Sequence, residues 1–474
     1  MKKFHTLSVA EQFLGQFIPK GEKSHFDGPR FLARAKKLLD LLGNPQEEIQ
    51  VIHVAGTSGK GSTAFLVSRL FSSHGIRVGL HLSPHLCDIR ERVQINNQLV
   101  PEKDFLDALE ELVPCIEKMK HEECGIPSYF EILVACAFYL FAQKKVAVAV
   151  METGMGGRYD ATNTVLDPSK IGLITRIGLD HTKVLGRTLE KIAYEKAMIT
   201  QKGNCIFTIS QHPHVSEVIE KTVHAQGGIL SLLKPKRDYW HRHTYEEGSV
   251  GDIACGATLL KNVRCRMLGR HQIENAALAC AGFALCLSRF GITPDENKIR
   301  DTLMNAVLPG RMQIVKIGHR TVIFDGAHNP QKIRALVKTI QDVFPGTKLS
   351  VLFACKENKD AASMLGTLIP IASRIMCSSF FHHTQDLSHV SYAPDALKRM
   401  LEKIGFSETT VARDGRNALE SLLAETKKEP IVVTGSLYFL ALFCDIILAG
   451  HAISGEPAFE IERASRDLSC ARRV

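Results

Sequence analysis

A chain of 474 residues is too long for one hydrophobic core and calls for two or three folding units. Hydrophobic residues at 45% and charged residues at 23%, with no internal repeat or low-complexity block, exclude a disordered or fibrous chain and describe a globular enzyme. The formal charge of +9 is modest at this length and comes without a dense lysine or arginine block, so nucleic acid is not expected, while a small anionic substrate is compatible.

Apolar residues recur at helical spacing over residues 30–42, and Gly43-Asn44-Pro45 stops that helix before the apolar strand 51–54. A glycine-rich turn and a helix follow, then a strand over 76–82 that ends at Ser83-Pro84-His85. Alternation across 92–100, with Asn96-Asn97 in the middle, predicts a hairpin. Helices are predicted over 102–119 and 130–143, and strands over 146–151, closing on Glu152, and 170–175, just before Ile177-Gly178-Leu179-Asp180-His181. Strands alternating with helices mean an α/β fold with a mostly parallel sheet, whose ligands bind beyond the carboxyl ends of the strands. Residues 204–266 are more polar, hold the only tryptophan, Trp240, and have a weaker helical period, so they read as an insertion or small sheet completing the first unit. After Leu308-Pro309-Gly310-Arg311 the alternation restarts with strands at 321–324, 349–354, 371–377 and 430–434, which makes 309–313 the expected hinge. Residues 451–474 lose the pattern and read as a mobile tail.

The thirteen cysteines show no Cys-x-x-Cys pair, and Cys136 and Cys280 lie in apolar runs that suit small buried side chains; a reducing cytoplasm is expected. Residues 1–10 lack the apolar core of a secretory signal. The apolar stretches 132–142 and 437–449 are short or interrupted by Asp445, so they read as buried helices and no membrane partner is expected.

The stretch Gly56-Thr57-Ser58-Gly59-Lys60-Gly61-Ser62-Thr63, directly after a buried strand, has the make-up of a phosphate cradle. Backbone N–H groups of the turn and the positive end of the next helix favour an anion, Lys60 meets terminal phosphates, and Ser62 or Thr63 can reach a magnesium ion. The common form of this motif has a glycine where Val54 stands and a serine or threonine where Gly61 stands.

Further motifs follow in order: Leu82-Ser83-Pro84-His85-Leu86, Glu152-Thr153-Gly154-Met155-Gly156-Gly157-Arg158-Tyr159-Asp160-Ala161-Thr162-Asn163, Leu179-Asp180-His181-Thr182 and Phe324-Asp325-Gly326-Ala327-His328-Asn329-Pro330. Together with Glu195-Lys196-Ala197, Glu274-Asn275-Ala276 and Pro309-Gly310-Arg311, they resemble the folylpolyglutamate synthase and dihydrofolate synthase family, a branch of the Mur ligase group, from about residue 30 to 440. The resemblance implies an N-terminal P-loop ATPase domain, 1–309, and a smaller C-terminal Rossmann-like domain, 310–450. It also implies a ligase that activates a carboxylate of a reduced folate or of dihydropteroate with ATP and joins L-glutamate to it, as a cytoplasmic monomer.

By the same resemblance Ser83 and Glu152 hold a first magnesium ion and His181 a second, with Asp180 orienting His181 or a water. Lys196 matches a lysine that carries a carbamate; a helix-surface lysine paired with neighbours of Glu195 is the plain alternative. Asn275, Arg311, Asp325 and His328 match ATP contacts, and Lys60, Lys196 and His328 are the expected catalytic groups. Asp325 can equally cap the helix that Pro330 opens. On the acceptor side the pattern is altered: Phe26-Asp27-Gly28-Pro29-Arg30 and Ser128-Tyr129-Phe130-Glu131 stand for pterin-side elements, and Tyr159 replaces a leucine. Arg30, Tyr129, Phe130, Tyr159, Asp160 and Ala161 are the expected substrate residues. A cell-wall Mur ligase lacks the Gly-Gly-Arg-x-Asp-Ala-Thr-Asn element, and a non-catalytic nucleotide-binding regulator would have lost Lys60, Glu152, His181 or Lys196, all of which are present.

Overall fold

The structure is a computed structural model that describes residues 4–19, 27–382, 389–426 and 429–452; the expected tail, from 453 on, lies outside the described residues. Short apolar runs in the first half build one sheet from β1 (Gln50–Ala55), β2 (Val78–His81), β3 (Gln94–Ile95), β4 (Gln98–Leu99), β5 (Val148–Glu152), β6 (Ile171–Ile174), β7 (Cys205–Ile209) and β8 (Ile229–Leu233). Their order is β4-β3-β2-β5-β1-β6-β7-β8. Neighbours from β2 to β8 run parallel, and Val54 in the central β1 lies opposite both Glu152 and Leu173. β3 and β4 form the antiparallel edge, joined by Asn96 and Asn97 at φ 51° and 62°, the left-handed pair that a two-residue hairpin requires.

Alternate residues of β1 feed opposite faces. Val51 packs with the helices Glu102–Met119 and Tyr129–Gln143, while Ile52 and Val54 pack with Lys60–Ser73 and Arg270–Arg289. The helix predicted from residue 30 spans Gly28–Leu41.

Residues 204–266 depart from their predicted role. Their first part is not an insertion but a β-α-β continuation of the parallel sheet, β7 and β8 around the helix Pro213–Ala225. The helix buries Val215, Ile219, Thr222 and Val223 on one side, and β8 is an edge strand with mostly exposed or half-buried residues, so polar composition masked both. A small sheet does follow, β9 (Tyr239–Tyr245), β10 (Gly248–Cys255) and β11 (Thr258–Cys265), antiparallel in the order β11-β10-β9.

The second sheet contains β12 (Gln313–Ile317), β13 (Arg320–Asp325), β14 (Leu349–Phe353) and β15 (Ala372–Cys377). After a short ribbon of β16 (Phe381–His382) and β17 (His389–Val390), it is completed by β18 (Thr409–Val411) and β19 (Ile431–Thr434). The order is β12-β13-β19-β14-β15-β18, parallel except for the β12–β13 hairpin. The apolar stretch 437–449 forms helical pieces, Leu437–Leu440, a 3₁₀ turn Ala441–Phe443 and Cys444–Ala452. No helix among the described residues is long and apolar enough to cross a membrane.

The sequence reading singled out no cysteine pair, and the structure holds one: Cys87 and Cys444 are bonded, with Cα atoms 5.7 Å apart across 357 residues of sequence. Such a separation leaves no local spacing to read. The loop carrying Cys87 is organised by Glu91, whose carboxylate accepts the backbone N–H groups of Leu86, Cys87 and Asp88 at 2.6, 2.7 and 2.9 Å. Glu91→Ala removes all three hydrogen bonds at once, and we expect a loss of about 2 kcal/mol in urea unfolding. An unchanged midpoint would show that water replaces the carboxylate without cost.

Candidate active site

The carboxyl ends of β1, β5 and β6 in the first sheet and of β13 and β19 in the second open onto one cavity of about 460 Å³. Its walls include Gly56 to Ser62, Ser83, Glu152, Asp160, Asp180, His181, Lys196 and Asn275 from the first half, and Arg311, Asp325, His328, Lys332, Lys359 and Tyr438 from the second.

The phosphate loop is shaped by close approach. A Cβ on Gly56, at φ 147°, would lie 1.8 Å from Thr175 Oγ1, and one on Gly59, at φ 95°, would lie 2.3 Å from Asn275 Oδ1. Only glycine satisfies both the backbone angles and the space. The Thr57 and Ser58 amides donate to the Arg176 carbonyl at 3.0 and 3.1 Å, and Thr57 Oγ1 bonds Gly178. Those two residues therefore clamp the loop, and the anion-facing amides are those of the first turn of the helix Lys60–Ser73, which has no side-chain cap. Ser62 lines the cavity; Thr63 is fully buried and does not.

Glu152 is 5% exposed and accepts the Ser83 N–H at 3.0 Å. Burial raises its pKa, against the pull of Lys60, the Ser83 amide, Arg311 and Lys332. A Cβ on Gly61 would be 3.5 Å from its carboxylate oxygens, so the absent side chain leaves them approachable. His181 is half exposed, and its Nε2 stands 3.9 Å from Asp180 Oδ1. Asp180 is mainly bound elsewhere: it pairs with Lys359 at 2.6 Å and accepts from Asn329 Nδ2 at 3.1 Å, both from the second half. Burial opposes its charge, yet Lys359, His181, His328 and Lys332 hold its carboxyl well below the usual range.

Lys196 is 4% exposed, with Nζ 3.4 Å from the Gly156 carbonyl, so it is not the surface lysine of the plain alternative; Glu195 instead faces Arg158 at 3.9 Å. Burial, with Lys60 nearby, lowers the Lys196 pKa to about 7, although Asp180 and Asp160 oppose the shift. Asp325 does not cap the helix Pro330–Val343. Asn329 does, through its Oδ1 and the Lys332 N–H at 2.9 Å, while Asp325 accepts from the Met312 and Ala327 amides, each at 2.8 Å. His328 Nδ1 is 2.9 Å from the Gly326 carbonyl, which leaves Nε2 as the acceptor of Lys332 Nζ at 2.9 Å.

On the acceptor side Phe31, Phe130, Met155, Tyr159 and Leu185 make an apolar wall. Ser128 and Glu131 form a capping box that starts the helix Tyr129–Gln143, and Glu131 also takes a bidentate bond from Arg34 at 2.9 and 2.8 Å. The helix turns Phe130 into the cavity but sends Tyr129, 1% exposed, into the core, so Tyr129 does not line the site. Arg30 is exposed and donates to the Cys124 carbonyl at 2.9 Å, also away from the cavity; Phe26 lies outside the described residues. Asp160 and Ala161 line the wall, but both Asp160 oxygens are engaged by the Met155 amide and by Thr162.

Several cavity residues escaped the sequence reading. Gln331 accepts from Ser58 Oγ at 3.0 Å and donates to the Ile177 carbonyl at 3.2 Å, joining the second half to the phosphate loop. Gln331 and Lys332 sit just beyond the Asp-Gly-Ala-His-Asn-Pro motif and were readable as its continuation. Lys356, Lys359 and Tyr438 carry no local signal.

Two family models match separate stretches of the chain. Residues 54–283 match the Mur ligase middle domain, and residues 311–446 match the dihydrofolate synthetase C-terminal domain. The Bacillus subtilis dihydrofolate synthase/folylpolyglutamate synthase is 32% identical over 415 residues, covering 86% of this chain and 93% of that protein. The Mycobacterium tuberculosis folylpolyglutamate synthase complexed with ADP superposes with a TM-score of 0.81 at 27% identity, over 95% of this chain and 99% of that one. The E. coli FolC in complex with DHPP and ADP gives a TM-score of 0.79 at 26% identity, again over 95% and 99%. The chain therefore belongs to the folylpolyglutamate synthase and dihydrofolate synthase family of ATP-dependent ligases.

Proposed function

We propose that this chain joins L-glutamate to the carboxylate of a reduced folate or of dihydropteroate through an acyl phosphate. The observation that carries this reading is the meeting, in one cavity, of cations from both halves with an apolar aromatic wall. A planar ring system suits the wall formed by Phe31, Phe130 and Tyr159. Its carboxylate then lies toward a region where Lys60, Arg311, Lys332 and Lys359 offset the charge of ATP, which would otherwise repel it. Transfer of the terminal phosphoryl group gives the carboxylate a leaving group; the uncharged amine of glutamate attacks the carbonyl carbon, an amide forms and inorganic phosphate departs. The role of the lysines and Arg311 is to hold phosphate oxygens in line and to stabilise charge as it shifts.

Glu152 and Ser83 fit a hard cation: the carboxylate is buried, underpaired and approachable above Gly61. Among the described residues no three His, Cys, Asp or Glu side chains form a complete metal cage, which suits magnesium, because it takes much of its shell from phosphate and water. Magnesium would supply charge neutralisation at the terminal phosphates. His181, at the edge of the same region, is assigned to a second ion. The chain divides in this reading into an ATP-binding unit, 1–309, and a glutamate-ligase unit, 310–450, hinged at 309–313. One chain supplies every wall of the cavity, which supports a monomer, and the supply of ATP and folate supports a cytoplasmic setting.

The deciding assay offers purified protein, ATP, magnesium and glutamate either dihydropteroate or tetrahydrofolate and measures phosphate release. Release with neither acceptor would overturn the reading. Lys60→Ala deletes one charge at a loop and little packing, so turnover should fall at least a hundredfold, about 2.7 kcal/mol or more, with thermal unfolding unchanged. A mutant within a few-fold of wild type would take Lys60 off the phosphates.

Glu152→Gln replaces a charged ligand by a neutral amide and should shift the magnesium titration at least about tenfold upward. Coincident titrations would remove Glu152 from the metal shell.

We also assign a carbamate to Lys196. Carbon dioxide adds only to an uncharged amine, and a pKa near 7 leaves much of this amine uncharged at neutral pH. Since the folded pKa lies below the ordinary 10.5, protonation returns as pH falls through about 7, and activity should fall with it. Lys196→Ala should be nearly inactive and partly rescued by formate or acetate, while Lys196→Arg should be inactive without rescue. Wild-type activity in Lys196→Arg would exclude the carbamate.

A further inference from the structure

Of the contacts that join the two halves, two differ in kind. One tie is polar: Asp180, after β6, holds Lys359 and Asn329 of the second half. The other is the bond between Cys87, in the loop after β2, and Cys444, the first residue of the helix Cys444–Ala452. Strands β5 and β1 lie between β2 and β6 in the sheet, so the ties stand about three strand spacings, roughly 14 Å, apart. Water can break the first when the halves separate; the second resists separation unless it is reduced.

Both ends of the bond are anchored to the site. Glu91 fixes the backbone of Leu86, Cys87 and Asp88, and four residues before Cys87 the Ser83 amide binds Glu152 in the cavity wall. Leu86 is buried in the same apolar cluster as Leu437 and Leu440, which belong to the second half. Cys444 follows the cavity residues Ser436 and Tyr438 by eight and six positions. The cavity is walled by both halves, so a lock between these surfaces bears on how readily its contents leave. Cys87 and Cys444 are half-buried and open to a small reagent, whereas Cys136, Cys265 and Cys280 are enclosed, with thiol pKa values raised by burial or, for Cys280, by the neighbouring Cys255. A disulfide in a cytoplasmic protein is commonly a transient, redox-sensing one.

We propose that the Cys87–Cys444 pair is a reversible redox lock that holds the two halves together and slows nucleotide release. The oxidant is a low-molecular-weight disulfide of the glutathione type. One cysteine thiolate attacks it, forming a mixed disulfide and expelling one thiolate; the second cysteine then attacks the protein-side sulfur, forms the Cys87–Cys444 bond and expels the other. Two electrons pass from the cysteines to the small disulfide, and the two cysteine protons end on the two released thiols. A dithiol reverses the exchange.

The test uses the full chain after dithiothreitol or after oxidised glutathione, with peptide mapping by mass spectrometry, release of a fluorescent ADP analogue, and ATP-dependent turnover. Oxidation should join Cys87 to Cys444, slow nucleotide release and turnover together by about fivefold or more, and be undone by dithiothreitol. Cys87→Ser and Cys444→Ser should match the reduced wild type and ignore the oxidant. The lock is overturned if mapping finds both cysteines free or joined to others such as Cys470, or if the bond forms and nucleotide release changes less than about twofold. Nucleotide release needs no acceptor, so it reads the lock even if the acceptor assigned above is wrong.

Discussion

The junction between the two sheets depends on one largely buried anion, Asp180. Lys359 and Asn329 reach it from the second half, and His328 and His181 stand 3.9 Å away on either side. Without that carboxylate, Lys359 would lose its ion-pair partner, and Lys332 and Lys196 would keep only the more distant acids of the cavity, Glu152, Asp160 and Asp325, against their mutual repulsion. The carboxyl edges of two parallel sheets can therefore close on one another with Lys60 and Arg311 still facing the cavity between them.

A lysine in a half-buried wall with no carboxylate bonded to it is costly for the folded chain and useful for the reaction. Lys332 shows both sides: burial brings its pKa down to about 7, with Asp180 opposing the shift and Lys60, Arg311 and Lys359 adding to it. Binding of an anion restores what burial removed. The energy that phosphate groups gain by neutralising such groups is then available to bring a carboxylate against ATP, which water alone does not favour.

What the residues disclosed in advance follows from how local each signal is. The phosphate loop, the Asn96-Asn97 hairpin and Glu152 at the end of β5 lie within one strand-turn unit, so composition and order suffice to place them. Tyr129 and Phe130 show the limit. Adjacent residues on a helix point about 100° apart, and which of the two meets the cavity depends on the register set by the Ser128–Glu131 capping box. Arg30 fails for a similar reason, since the helix Gly28–Leu41 turns it toward Cys124 and gives the inner position to Phe31 and Arg34. Lys359 and the Cys87–Cys444 pair depend on how the second sheet sits against the first, over separations of 179 and 357 residues, and no window along the chain contains that information.

The departures of the phosphate loop from its common form have a local explanation. Val54 is not a failed glycine: it is wholly buried in β1, between Glu152 and Leu173 of the neighbouring strands, and the turn begins two residues later at Gly56. Gly61 has a different reason. With the Glu152 carboxylate 3.5 Å from where its Cβ would be, a serine or threonine there would put a hydroxyl into the space this acid faces, so the hydroxyl is moved on to Ser62. A loop that meets its acidic partner across a glycine leaves room between lysine, hydroxyl and carboxylate for phosphate oxygens, and that requirement, rather than resemblance to the common pattern, sets the order Lys60-Gly61-Ser62.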